Sequence, residues 1–166
     1  MVTAERSTTV GEILLSQAGS LLLFVGIASS LILLSSVGRP IGASSKNLVL
    51  FSQALPFVLL TYCFVTDARS IELVYRFGGD DLPLFYRVSA VWSSRSGPLL
   101  LWAAMMAIVT RLMSNKEHVV SVEVAIMHAW TAFLLVLSAM LRPFESTISS
   151  TSSGLNPLLQ TDLMVI

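Results

Sequence analysis

The sequence predicts an all-α integral membrane protein with four transmembrane helices and an external amphipathic helix that lies in the membrane interface. Hydrophobic residues make up 54% of the chain and charged residues only 12%, whereas soluble domains carry about 25% charged residues. The mean hydropathy is +0.78. Four apolar stretches approach or exceed the ~20 residues that cross a bilayer as a helix. Together these observations exclude an ordinary soluble domain.

The four spans differ in length and in the features that mark them. The first has no charge between Ile13 and Val37, and the second carries Pro56 near its middle. The third has fifteen uncharged residues between Arg95 and Arg111, about 22 Å of helix, so both arginines are expected to reach towards opposite interfaces. The fourth contains Glu123 and His128. The predicted spans of this single membrane domain, 1–166, are about 13–37, 47–66, 96–113 and 118–141.

The connections between the spans also differ in kind. Residues 38–46 and 114–117 form short loops, whereas 67–95 is long enough to fold and is predicted to be an external segment. Within it, the spacing of the large apolar side chains indicates one stripe of an amphipathic helix, which is typical of a helix in the membrane interface. That stripe consists of Leu84, Phe85, Val88, Val91 and Trp92. Residues 142–166 are predicted to form an external tail.

Composition and motifs exclude several function classes. Ten basic and ten acidic residues cancel, so the chain has no electrostatic footprint for nucleic acid. Cys63 is the single cysteine and is expected to be a buried thiol. No nucleophile–base pair, zinc spacing or phosphate loop is present, so no catalytic residue and no metal ligand is assigned.

Glu123 and His128 are functional candidates because ionisable side chains inside a span are costly. Several interpretations remain open from the residues alone, and one of them is that His128 ligates an iron or relays a proton. The chain could be a small multi-span subunit of an ion or solute transporter with both residues on the pathway. Alternatively His128 forms a hydrogen bond to a neighbouring helix, which is the more common role of a lone histidine in a span. The two side chains do not share a helix face.

Two motifs resemble a known family. The stretch "LPLFYRVSAVWSSRSGPLLLW" at 82–102 is similar to the external segment of CcmF, the haem-lyase subunit of cytochrome c maturation. The family pattern is a Leu-Pro, an aromatic–basic pair, a Trp, a Gly and a Leu-Leu-Trp that enters the next span. Downstream, Pro143-Phe144 and "LNPLLQ" at 155–160 match the same family. The chain departs from it after Trp92, where Ser93–Pro98 replaces the usual Gly-x-His-Glu-Gly-Ser.

The resemblance implies a role for this chain as the amino-terminal scaffold of a split haem lyase that helps to attach haem to apocytochrome c. In the family the chain continues into a His-Pro-Pro motif with a haem-ligating histidine. The chain is therefore expected to be a non-catalytic component, with haem bound by a carboxy-terminal CcmF-like partner chain that starts near that motif. A truncated piece is the rival interpretation of its end. Haem chaperone, the apocytochrome c machinery and membrane lipid are the further implied partners.

The resemblance also implies positions and topology. The protein is expected in the plasma membrane of a prokaryote or in the mitochondrial inner membrane, with both termini and residues 67–95 on the external side. The residues expected to face haem or apocytochrome are Tyr86, Arg87, Trp92, Arg95, Gly97 and Trp102. The residues expected to contact the partner chain are Asn156, Pro157, Leu158, Leu159, Gln160 and Ile166.

Overall fold

A computed structural model of the protein describes residues 2–79, 83–114 and 119–147. Over these ranges the regular structure is helical and no strand is present, which confirms the predicted all-α class. A 3-10 turn at Val91–Ser93 links the fourth and fifth helices. The α-helices are α1 (Val2–Leu34), α2 (Ala43–Val65), α3 (Glu72–Phe77), α4 (Leu84–Ala90), α5 (Ser96–Met113) and α6 (Val122–Met140).

Four of these helices contain segments long and apolar enough to cross a membrane, as predicted. They pack in the cyclic order α1–α2–α5–α6, so each lies against two neighbours. The second helix begins at Ala43, before the predicted residue 47, and Lys46 therefore lies within it. Pro98 falls in the first turn of α5, where a missing N–H costs least. The segments are Leu14–Leu34, Ala43–Val65, Ser96–Met113 and Val122–Met140.

Large apolar side chains cover the outward faces of all four spanning helices. Phe24, Phe51, Trp102 and Met140 are each more than half exposed. In water such faces would be costly, but lipid tails are as apolar as these side chains and satisfy them. The interior holds a smaller set of fully buried residues, which includes Leu60, Phe64, Leu100, Leu135 and Phe144. Cys63 is also fully buried, in agreement with the sequence prediction.

Backbone pairing joins the loops at one end of the bundle. The loop after α1 pairs with the segment before α6, through Gly38 N to Val120 O at 2.9 Å and Val120 N to Arg39 O at 3.0 Å. At this end Lys46, which is buried, donates from Nζ to the carbonyl oxygen of Ser114. The lysine thus satisfies a free carbonyl at the end of α5.

The opposite end is joined by a second set of contacts. Glu72 N donates to Glu145 O at 2.9 Å, and Thr147 N donates to Ser70 O at 2.8 Å. The ring of Phe144 lies directly against Gly19, where any β-carbon would fall 2.3 Å from the ring. The segment that follows α6 is therefore fastened both to α1 and to the connection after α2.

Candidate functional site

The resemblance places the candidate site where α4 leads into α5, and a compact turn holds this region. Ser94 Oγ donates to Val91 O and accepts from Gly97 N, both at 3.0 Å. Ser94 and Val91 are both buried. One hydroxyl therefore satisfies a carbonyl of the 3-10 turn and an otherwise unpaired N–H at the start of α5.

Gly97 is buried at this turn and has no room for a side chain. An ideal β-carbon on Gly97 would lie 2.0 Å from Val91 O and 2.9 Å from Val91 Cγ1. The backbones of the turn and of α5 approach each other this closely because glycine has no β-carbon. Gly97 therefore contributes to the site by allowing the turn to pack closely against the start of α5.

Three aromatic side chains, Phe85, Tyr86 and Trp92, form the exposed face of this region, here called the aromatic surface. Their exposed fractions are 78%, 60% and 50%. The rings of Phe85 and Tyr86 meet edge to face, with centroids 6.1 Å apart. Leu84 is exposed beside them, whereas Val91 of the same predicted stripe is buried. The helix tightens into the 3-10 turn at Val91, and this change separates Val91 from the exposed stripe.

Of the remaining predicted residues, Arg87 is held by a hydrogen bond, whereas Arg95 and Trp102 are exposed. Arg87 Nη1 donates to Val65 O at 3.1 Å, which ties α4 to the last residue of α2. Arg95 is exposed at the N-terminal boundary of α5, and Trp102 is 62% exposed on the span itself. The six residues predicted to contact a partner chain, from Asn156 to Ile166, lie outside the described residues.

A buried polar cluster in the interior of the bundle joins three spanning helices. Gln53 Nε2 lies 2.8 Å from Ser30 Oγ and 3.0 Å from His128 Nδ1, and all three residues are buried. With the amide as donor to both, His128 accepts at Nδ1. The expectation that His128 bonds a neighbouring helix is confirmed. Sequence reasoning missed Gln53, although Ser52-Gln53 is a polar pair within an apolar span.

The region beside His128 does not suit a haem. The adjoining cavity has a volume of about 20 Å³, which accommodates a water molecule and excludes a porphyrin. In the part of the chain that the structure describes, no group of three or more His, Cys, Asp or Glu could hold a metal ion. Glu123 lies exposed in the first turn of α6, outside the polar cluster.

The chain is similar to proteins of cytochrome c biogenesis. It is 32% identical over 118 residues to the cytochrome c-type biogenesis protein ccl1 of Rhodobacter capsulatus, a match that covers 64% of this chain and 18% of the relative. It is 31% identical over 122 residues to CcmF of Escherichia coli, covering 68% of this chain and 19% of the relative. A match to CycK of Bradyrhizobium diazoefficiens, at 29% identity, extends over 157 residues, 81% of this chain and 23% of the relative.

The matches cover only part of the length of each relative. The chain spans about a fifth of the length of the curated relatives that it matches. No protein-family model and no solved structure matches it. The similarity thus concerns one membrane portion of much longer proteins.

Proposed function

Because this chain is a CcmF-like membrane polypeptide, we propose that it serves in cytochrome c maturation as the scaffold portion of a haem lyase. The observation that carries the proposal is the repeated similarity to proteins named for cytochrome c biogenesis. It acts together with the remaining CcmF-like sequence, which provides the haem ligands. The haem chaperone and apocytochrome c are the expected further partners.

The aromatic surface is the part of this chain proposed to meet haem or apocytochrome c. Phe85 and Tyr86 lie on α4, and Trp92 lies on the 3-10 turn that Ser94 and Gly97 hold in place. Flat aromatic side chains suit a flat apolar partner and lose little conformational freedom on contact. Arg95 is exposed close by and offers a guanidinium to carboxylates such as haem propionates.

Substitution of Trp92 tests this function. Trp92→Ala is expected to lower holocytochrome c at least tenfold, because truncating a tryptophan hot spot of an interface costs about 2 kcal/mol or more and every ~1.4 kcal/mol is a factor of ten. The amount of this chain in the membrane should change little, since Trp92 is half exposed. The measurement is haem-stained cytochrome c in a strain that depends on this chain.

Trp130→Ala is the matched control. Trp130 is 52% exposed on α6 and its ring lies 5.2 Å from that of Phe133, so it is equally large and equally accessible but lies on a spanning helix. It should leave holocytochrome c unchanged. Equal losses in both variants would assign the effect to general damage, and unchanged maturation in Trp92→Ala would refute the proposed role of the aromatic surface.

The transporter interpretation is not favoured. It required Glu123 and His128 to share a pathway, but Glu123 is exposed while His128 is buried and bonded to Gln53. The relatives are named for biogenesis, and the cluster around His128 has the geometry of an interhelical contact.

Accessibility to a thiol reagent tests the proposed topology. We propose that the aromatic surface is external, in a prokaryotic plasma membrane or the mitochondrial inner membrane, with both termini on the same side. Ser93→Cys should react with an impermeant reagent added outside, whereas Ser45→Cys should react only after permeabilisation. Both serines are exposed and the native Cys63 is buried, so background labelling should be low. Labelling of Ser45→Cys in sealed cells or mitoplasts would invert the topology.

A further inference from the structure

A crevice opens between α1 and α6 at the end of the bundle where α6 stops. Its volume is about 320 Å³, within the size range of small-molecule sites. Ser16, Ser20 and Phe24 line it from α1 at a spacing of four residues, which places them on one helix face. The residues that line it from α6 and the segment beyond are Ala139, Arg142, Pro143, Phe144, Glu145 and Ser146.

The lining of this crevice changes from polar to apolar along the bundle. Ser16 Oγ donates to Phe144 O at 2.5 Å, which places Ser16 at the level of the segment after α6. Phe24 lies eight residues further along α1, about 12 Å deeper at the rise of an α-helix. The polar rim lies at the ends of the spanning segments Leu14–Leu34 and Val122–Met140, the level expected for lipid headgroups. The apolar part of the lining, Leu23, Phe24 and Ala139, lies further into the span, at the level expected for acyl chains.

The rim carries one positive and one negative side chain. Arg142 Nη1 and Glu145 Oε1 are 3.5 Å apart, and their side chains are 74% and 33% exposed. Exposed pairs of this kind contribute little to stability, and both groups retain capacity for further hydrogen bonds. A guanidinium binds a phosphate strongly, and the neighbouring carboxylate suits a primary ammonium.

Arg142 also adopts a backbone conformation in which glycine would be less strained than arginine. Its φ is +48°, in the left-handed region that commonly follows the end of a helix and usually holds glycine. An arginine there is consistent with a use for its guanidinium at the rim.

From the volume, polarity gradient and paired charges, we propose that this crevice binds a phospholipid with an ethanolamine headgroup. Its phosphate lies against Arg142, its ammonium against Glu145, and its acyl chains follow Phe24 along α1. Phosphatidylcholine fits less well because its quaternary ammonium has no N–H to donate to Glu145. The site is independent of the proposed role in cytochrome c maturation.

Lipid retention by the whole chain tests this site. The chain is reconstituted in nanodiscs of phosphatidylcholine with a defined fraction of phosphatidylethanolamine, extracted in mild detergent, and its bound lipids are counted by native mass spectrometry. Arg142→Gln should lower retained phosphatidylethanolamine about tenfold, the scale of losing one charge-assisted hydrogen bond. Glu145→Gln should retain lipid but lose the preference for ethanolamine over choline.

Arg76→Gln is the matched control, since Arg76 is an exposed arginine paired with Glu72 at 2.5 Å and does not line the crevice. It should leave lipid retention unchanged. Equal retention by Arg142→Gln and Arg76→Gln would overturn the proposal.

A photo-crosslinking amino acid at position 20 identifies the occupant directly in the full chain. Crosslinking to phospholipid is expected. Crosslinking instead to residues 148–166, or to another polypeptide, would show that protein fills the crevice and would also overturn the proposal.

Discussion

Gly97→Ala is expected to destabilise the protein by about 2 kcal/mol and to abolish most cytochrome c maturation, because overpacking a tight site costs about 1–3 kcal/mol. The added methyl group would lie 2.0 Å from Val91 O, so the turn or α5 must move. Alanine favours a helix over glycine by about 1 kcal/mol, but this applies to helix interiors. Gly97 lies in the first turn of α5, so the clash outweighs the gain.

The movement would also disturb the hydrogen bonds that hold the aromatic surface. Gly97 N donates to Ser94 Oγ, which itself donates to Val91 O, so a displaced Gly97 breaks the link between turn and helix. Trp92 follows Val91 directly and would lose its orientation. We therefore expect holocytochrome c to fall together with the stability of the fold, unlike the selective loss expected for Trp92→Ala.

Gly42→Ala is the matched control for this effect. An added β-carbon at Gly42 meets nothing within 4 Å, and its φ of −78° suits any residue. Gly42 caps the N-terminus of α2, so Gly42→Ala should lower the free energy of unfolding by only a few tenths of a kcal/mol to about 1 kcal/mol. Unfolding in mixed micelles, followed by fluorescence of the three tryptophans, measures both variants. Equal midpoints for the two variants would contradict the close-packing argument.

The spans were predictable because the bilayer imposes a simple requirement on sequence. Each crossing segment must be apolar and must satisfy its own backbone, so uncharged runs reveal the helices. The start of α2 was less predictable, since Lys46 counts against a span by charge. In the structure its ammonium reaches the carbonyl of Ser114 at the bundle end, a contact that depends on the packing of α2 against α5.

The motif marks the candidate segment in the sequence but does not give the role of each of its residues. The motif from Leu82 to Trp102 indicated a functional segment, and the structure describes its residues from Pro83 onward. A motif does not show that its tryptophan is exposed while its glycine is buried. In the structure, the close approach of Val91 O to Gly97 shows that this glycine has a packing role. Gln53 escaped prediction because an amide lowers hydropathy only locally and its partners come from α1 and α6.

Gln53→Leu is expected to destabilise the bundle by about 2 kcal/mol. An interhelical hydrogen bond in a membrane contributes about 0.6–2 kcal/mol, and a buried polar group left without its partner costs about 1–3 kcal/mol. The substitution removes the donor to both Ser30 Oγ and His128 Nδ1. It also removes Gln53 Oε1, which is buried and has no hydrogen-bond partner among the described residues, so part of the loss is offset. Ser30 still donates to Gly26 O at 2.8 Å, so the unsatisfied histidine accounts for most of the loss.

The double variant Gln53→Leu with His128→Leu is expected to be more stable than Gln53→Leu alone. Replacing both partners of a buried hydrogen bond by apolar groups is close to neutral, so the double variant should recover about 1 kcal/mol relative to Gln53→Leu. A double-mutant cycle from unfolding in mixed micelles gives this coupling energy directly. Additive losses would show that the two side chains do not stabilise the bundle through each other.

The same pair of variants separates a structural role from a chemical one. If the cluster only joins α1, α2 and α6, the double variant should support nearly normal holocytochrome c formation once its stability has recovered. If His128 relayed protons or bound iron, removing the imidazole would abolish activity however stable the bundle. We expect the first result, since His128 Nδ1 is hydrogen-bonded to Gln53 and the adjoining cavity of about 20 Å³ has no room for a porphyrin.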